Sequence, residues 1–170
     1  MSDMTDVLEA QADVQDMKTG IGDSERKQLA GLLAGSLADT TLLMIKSQGY
    51  HWNVVGPLFK PIHELTEDHY TNLFEAADEI AERIRALGYP APTSFTDLIA
   101  RTALREEHDV TSAQDMVETL VRDHEAVVRQ MRKTAEFAES VDDFATHDLL
   151  VERLTFHEKA IWMLRATIES

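Results

Sequence analysis

The feature that most limits what this chain can fold into is a set of four ligand-type residues spread along one long amphipathic helix. Residues from about Leu58 to Leu87 keep a helical period. Counting 100° per residue from Ile62, the apolar set Leu65, Leu73, Ala76, Ile80, Ile84 and Leu87 falls within about 60° of it. His63, Glu67, Asp78 and Glu82 cluster instead between about 100° and 200°, with Tyr70, Phe74 and Ala81 among or beside them. One face is thereby assigned to the protomer's own core. The other sets aromatic residues between potential metal ligands.

His63 and Glu67 are four residues apart, as are Asp78 and Glu82, so each pair lies on one helix face. Fifteen residues separate His63 from Asp78, roughly 22 Å at 1.5 Å of rise per residue. One metal ion cannot bind both pairs on a single copy. The midpoint of 63 and 82 is 72.5, as is that of 67 and 78. An antiparallel pairing of two copies about a two-fold axis near Asn72–Leu73 sets His63 against the partner's Glu82, and Glu67 against the partner's Asp78. Carboxylate and imidazole are the donors that suit iron or zinc. The alternative reading is a solvated helix face, on which carboxylate pairs at this spacing also arise.

The surrounding stretch resembles the signature of the Dps family, the mini-ferritins. HWNVVGPLF, His63 in PIHEL, and Asp78 and Glu82 in ADEIAER match that family's pattern residue by residue, and the likeness extends from about Ser24 to Thr167, including HEKAIWMLR. The resemblance implies a ferroxidase site between two-fold-related subunits, with His51 and His63 of one chain facing Asp78 and Glu82 of the other. Glu67 stands where many relatives have aspartate, which bears on a second iron position. By the same resemblance Trp52, which its residue type alone places in a core, lies beside the irons. It further implies hollow dodecamers built from two-fold dimers, oxidation of Fe(II) by peroxide or O₂, and storage of Fe(III) mineral.

The rest of the chain reads as all-α: a ferritin-like antiparallel four-helix bundle with a short helix in the long central connection. Asp23 or Ser24 starts a first long helix whose stripe Leu29, Leu33, Leu37, Thr40, Leu43, Met44, Ser47 leads to His51, and Gly56-Pro57 ends it. SFTDLIARTAL gives the short helix, capped by Ser94 or Thr96. Thr111 or Ser112 caps the third long helix, and Asp142-Asp143 leads into the last. Residues 24–170 form the bundle, preceded by an acidic arm, 1–23, expected to be flexible or loosely docked, with Lys18 as its only side-chain base. Glu139, Asp142, Asp143 and Asp148 surround a helix start, where carboxylates complement the helix dipole. By resemblance they line a three-fold pore and guide Fe²⁺ inward. His69, His108, His124 and His147 lack a spaced partner set and are expected mostly at the surface. His157 is expected to make a structural hydrogen bond.

Composition narrows the alternatives. The net charge is −15, with 31 acids against 16 bases, so polyanions are repelled on average and cations attracted. Some Dps relatives bind DNA through a lysine-rich arm, but this arm has the wrong sign for neutralising phosphates. DNA binding, and with it a nucleoid-protection role, is the disfavoured alternative. There is no cysteine, which excludes disulfides and thiolate metal sites. No stretch is expected to approach membrane-spanning length, and the cytoplasm is the expected compartment. A cage protein whose site is structural or filled by zinc is the second alternative, since the same donors bind zinc.

Overall fold

The computed structural model describes residues 13–107 and 110–169. Five helices follow one another: α1 (Asp23–Asn53), α2 (Phe59–Ala86), the short α3 (Phe95–Arg101), α4 (Ala113–Ser140) and α5 (Phe144–Ile168). Short connections join α1 to α2 and α4 to α5, so each pair folds back antiparallel and packs along its length. The two hairpins meet through α1 against α4 and α2 against α5. Moving from Arg83 back to Asn72 on α2 moves forward from Asp143 to Arg153 on α5, since these residues bond in pairs. Those helices are therefore also antiparallel. It follows that α2 and α4 run the same way, and the connection holding α3 must return along the whole bundle. This is the expected four-helix bundle with its short crossing helix.

The core is where helical periodicity puts it. Leu65, Leu73, Ala76, Ile80 and Ile84 of α2, and Leu87 just past its end, are all buried, against Leu29, Leu33, Leu37 and Leu43 of α1 and Leu120, Val127, Met131, Leu150 and Leu164 of the second hairpin. Helix starts are fixed by side chains. Ser94 accepts a bond from the Asp97 N–H at 3.1 Å, and Ser112 from that of Asp115 at 3.0 Å. Gly88 ends α2 in the left-handed region at φ 94°, where an added Cβ would also run into the Gln15 carbonyl. The Gln15 N–H bonds back to the Gly88 carbonyl at 2.8 Å, and buried Arg26 donates to the Leu87 carbonyl at 2.9 Å. The chain ahead of α1 is thus tied across the α2 turn from Gln15 onward. Residues 1–12 of the expected arm lie outside the described residues.

Two expectations are corrected. α1 does have the length and apolar composition to cross a membrane. Its apolar stripe is instead buried against α2 and α4, and it holds a buried Asp39 whose carboxylate accepts from the Thr102 hydroxyl and the Ala103 N–H, both at 2.7 Å. His69 and His124, expected at the surface, are buried between helices. Each falls on an apolar stripe: His124 four residues after Leu120 and three before Val127, His69 midway between Leu65 and Leu73.

Candidate metal centre

The last turn of α1 brings His51 beside His63, in the first turn and a half of α2, because the five residues between the helices allow only a tight reversal. The two imidazoles stack with centroids 3.7 Å apart and planes at 15°. Phe59 stacks on the outer side of His63 at 5.0 Å, and Tyr70 meets His51 edge-on at 5.3 Å. A reciprocal pair of hydrogen bonds fixes the rings. His51 Nδ1 lies 2.8 Å from the His63 carbonyl oxygen, and His63 Nδ1 lies 2.8 Å from the His51 carbonyl oxygen. A carbonyl oxygen can only accept, so both Nδ1 atoms are the donors. In the neutral rings both lone pairs then sit on Nε2, the tautomer a metal needs. The backbone thereby does for each ring what a supporting hydrogen bond does for a metal-binding histidine. The His51 carbonyl is available because α1 ends at Asn53 and gives it no helical partner.

The carboxylates are elsewhere. Glu67 is exposed one turn beyond His63, and Asp78 and Glu82 are exposed near the far end of α2. Asp78 lines a groove of about 670 Å³ with Leu37, Thr41, Met44 and Phe74. Among the described residues no three potential ligands converge on a point. A single protomer therefore presents a histidine pair and a carboxylate pair far apart along α2, with Phe74, which is 67% exposed, between them.

Trp52 departs from the core placement that its residue type suggests. It is 67% exposed and shares the α1–α2 turn with exposed Val55 and Phe59. The reason is rotational: α2 covers the side of α1 that bears His51 and α4 the side that bears Tyr50, and among the described residues nothing covers the next residue round.

The acids near the α5 start separate into two groups. Glu139, Asp142 and Asp148 are exposed. Asp143 is not: it is 2% exposed, caps α5 through the Thr146 N–H at 3.1 Å, and accepts two bonds from Arg83 at 2.7 and 2.9 Å. Burial alone would raise its pKa, but the bonds from the Thr146 hydroxyl and N–H and the Arg83 guanidinium outweigh it and hold the carboxyl below its ordinary value. Of the two readings of these four acids, Asp143 takes the helix-start one.

Set beside known proteins, residues 31–170 match the ferritin-like domain family. The chain is 36% identical over 140 residues to the DNA protection during starvation protein 2 of Bacillus anthracis, covering 82% of this chain and 96% of that one. This chain belongs to the Dps family of ferritin-like proteins. A low temperature-induced protein of Nostoc is 41% identical over 152 residues, covering 88% of this chain and 85% of its own. The Dps protein of Vibrio cholerae, described as one of the ferritin-like diiron-carboxylate proteins, superposes with a TM-score of 0.85 at 29% identity, over 94% of this chain and 99% of that one.

What the sequence did not disclose is a second group of histidines. His69 of α2, His124 of α4 and His157 of α5 meet inside the bundle with Phe156 and the buried Arg153. As expected, His157 makes a structural bond, and its partner is His124, Nδ1 to Nδ1 at 2.8 Å. Helical spacing within the apolar stripes was the signal that would have found them.

Proposed function

We propose that this Dps-family protein oxidises Fe(II) at sites shared between two protomers and stores the Fe(III) product as mineral inside a hollow, dodecameric cage. The observation behind this reading is the division of α2 into two half-sites that one chain cannot join. One half is a pair of stacked imidazoles held as Nε2 bases; the other is a carboxylate pair at matched distance from the helix centre. A two-fold partner laid antiparallel along α2 brings Asp78 and Glu82 of the partner subunit to His51 and His63. The uncovered apolar side chains Phe74, Trp52 and Phe59 favour such a partner, because contiguous exposed apolar surface marks interaction sites.

The residues then have distinct tasks. Neutral imidazole nitrogens and carboxylates bind ferrous ions, the substrate, and the carboxylates offset the charge that increases on oxidation. Glu67, one turn from His63, is placed to serve a second ion. Two Fe²⁺ release two electrons, which reduce one peroxide with two protons to two waters; O₂ is the alternative oxidant. The ferric ions hydrolyse and grow as mineral on acidic groups. Protection of the cell follows from removing Fe²⁺ and peroxide together, without coating of DNA, given the net charge of −15.

The test is anaerobic titration of Fe(II) into the assembled protein, followed by peroxide. Saturable binding that is lost in His63→Ala and in Asp78→Ala, with two irons oxidised per peroxide, supports the reading. Tight zinc binding with no iron oxidation would overturn it in favour of a structural metal site.

A further inference from the structure

His124 and His157 are 0% exposed, on adjacent antiparallel helices, with their Nδ1 atoms 2.8 Å apart. Neither Nε2 has a hydrogen-bond partner in the described structure. Two neutral imidazoles can make this contact in only one way: one ring donates from Nδ1, and the other accepts at Nδ1 and keeps its proton on Nε2. If both rings are protonated, two N–H donors point at each other and the contact becomes repulsive.

The surroundings make added charge costly. From α5, Arg153 stands over Phe156 at 4.6 Å and is buried, with one guanidinium nitrogen bonded to the Asn72 side chain of α2 and its Nε unpartnered. Glu79 and Glu152 act on that guanidinium. From α2, His69 adds a third imidazole, with Asp68 acting on it. From α1, Lys46 closes on Asp123, which is next to His124 in the chain. Among the described residues, the groups that shift either ring besides burial are Arg153 and the neighbouring imidazoles.

We propose that the His124–His157 contact is an acid-operated latch between α4 and α5, closed while at most one proton lies between the rings and forced apart when both are protonated, so that acid opens this half of the bundle. Burial holds both rings neutral: with Arg153 and His69 adding to it, His157 is lowered to about 3, and His124 is lowered well below its ordinary value, with His157 next in effect. The sign follows from linkage. An unfolded histidine takes up a proton near pH 6.5, whereas the folded pair does not, so stability is undiminished above about pH 6.5 and falls as the pH drops toward the folded values. The latch consists of His124 and His157 alone; His69 is a neighbour.

The test is acid unfolding of the full-length assembled protein, followed by circular dichroism and light scattering, with and without His124→Gln plus His157→Gln. The Gln pair can still bond side chain to side chain but does not titrate. The expected result is an acid midpoint lower by about one pH unit, and about two fewer protons taken up on unfolding near pH 5. An unchanged midpoint and uptake would overturn the latch and leave the carboxylates responsible. The unaltered protein supplies a second measurement that does not depend on the variant's folding: deuterium exchange at the histidine C2–H, read by mass spectrometry against pH. His124 and His157 should exchange slowly and show no titration between pH 7.5 and 5.5; titration of either ring near 6.5 in intact protein refutes the latch. A stoichiometric zinc site that survives His51→Ala plus His63→Ala and disappears with the Gln pair would make the cluster a metal site, which also refutes it.

Discussion

Replacing Asp143 by Ala removes two things at once, and the structure sets the scale of each. The first is the N-cap of α5, worth about 1 kcal/mol. The second is the partner of Arg83. Removing one member of a buried ion pair costs about 3–5 kcal/mol, because the other charge is left desolvated. Arg83 keeps a side-chain exposure of 20% and a bond to the Thr146 hydroxyl at 2.8 Å, so the low end of that range applies. The expected total is about 3–4 kcal/mol, or a melting temperature lower by roughly 6–16 °C for a domain of this size. Asp143→Asn keeps a capping oxygen and should lose less. Because the folded pKa of Asp143 is depressed, its stabilisation is present above the unfolded value of about 3.9 and fades as pH falls below it. The gap between wild type and Asp143→Ala should therefore narrow below about pH 4. The assay is thermal unfolding at fixed protomer concentration, since assembly shifts apparent stability, with Asp148→Ala as the exposed control. If Asp143→Ala melts with the control and instead slows iron uptake at low ionic strength, the carboxylate belongs to an entry path and the reasoning fails.

Two further outcomes are expected. Replacing exposed Glu139, Asp142 and Asp148 by Gln or Asn should slow Fe²⁺ uptake at low ionic strength and have less effect as salt is raised, with a Debye length of roughly 10 Å at 0.1 M; stopped-flow oxidation at two salt concentrations reads this, and equal rates at both would leave them as surface acids. In a gel shift at physiological salt and neutral pH the assembled protein should form no stable DNA complex, because the described chain ahead of α1 offers Lys18 among Asp13 and Asp16; a tight, salt-sensitive complex would reveal a basic patch on the assembled surface.

The bundle was legible because each long helix keeps its apolar stripe and stops at local signals: Gly88, Gly56-Pro57, Ser112 and Asp143 lie at or beside the observed ends. That His63, Glu67, Asp78 and Glu82 share one face of α2 was legible for the same reason, since four-residue spacing alone aligns Asp78 with Glu82. The tautomer lock was not. It depends on the α1 and α2 ends meeting so that each histidine reaches the other's carbonyl, which no spacing on one helix encodes. Asp143 was ambiguous for a similar reason: its partner Arg83 is sixty residues away in the chain. His69 and His124 were misplaced because the lack of a spaced partner set was weighed above position in the stripe. Trp52 shows the reverse error, a large apolar residue assigned to a core that this chain alone does not extend to it.

The central claim, that each oxidation site is completed by a second protomer, is tested most directly by mixing two inactive variants. A His63→Ala protomer breaks the imidazole half that it contributes, and an Asp78→Ala plus Glu82→Ala protomer breaks the carboxylate half that it contributes. Neither homo-oligomer should oxidise Fe(II) well. A dimer pairing one protomer of each kind holds one intact site and one doubly broken site, so co-assembled cages should recover up to about a quarter of wild-type sites if pairing is random. Recovery of peroxide-driven Fe(II) oxidation in proportion to mixed dimers, counted by native mass spectrometry, is the predicted result. Verified mixed dimers with no recovered activity would contradict the shared site.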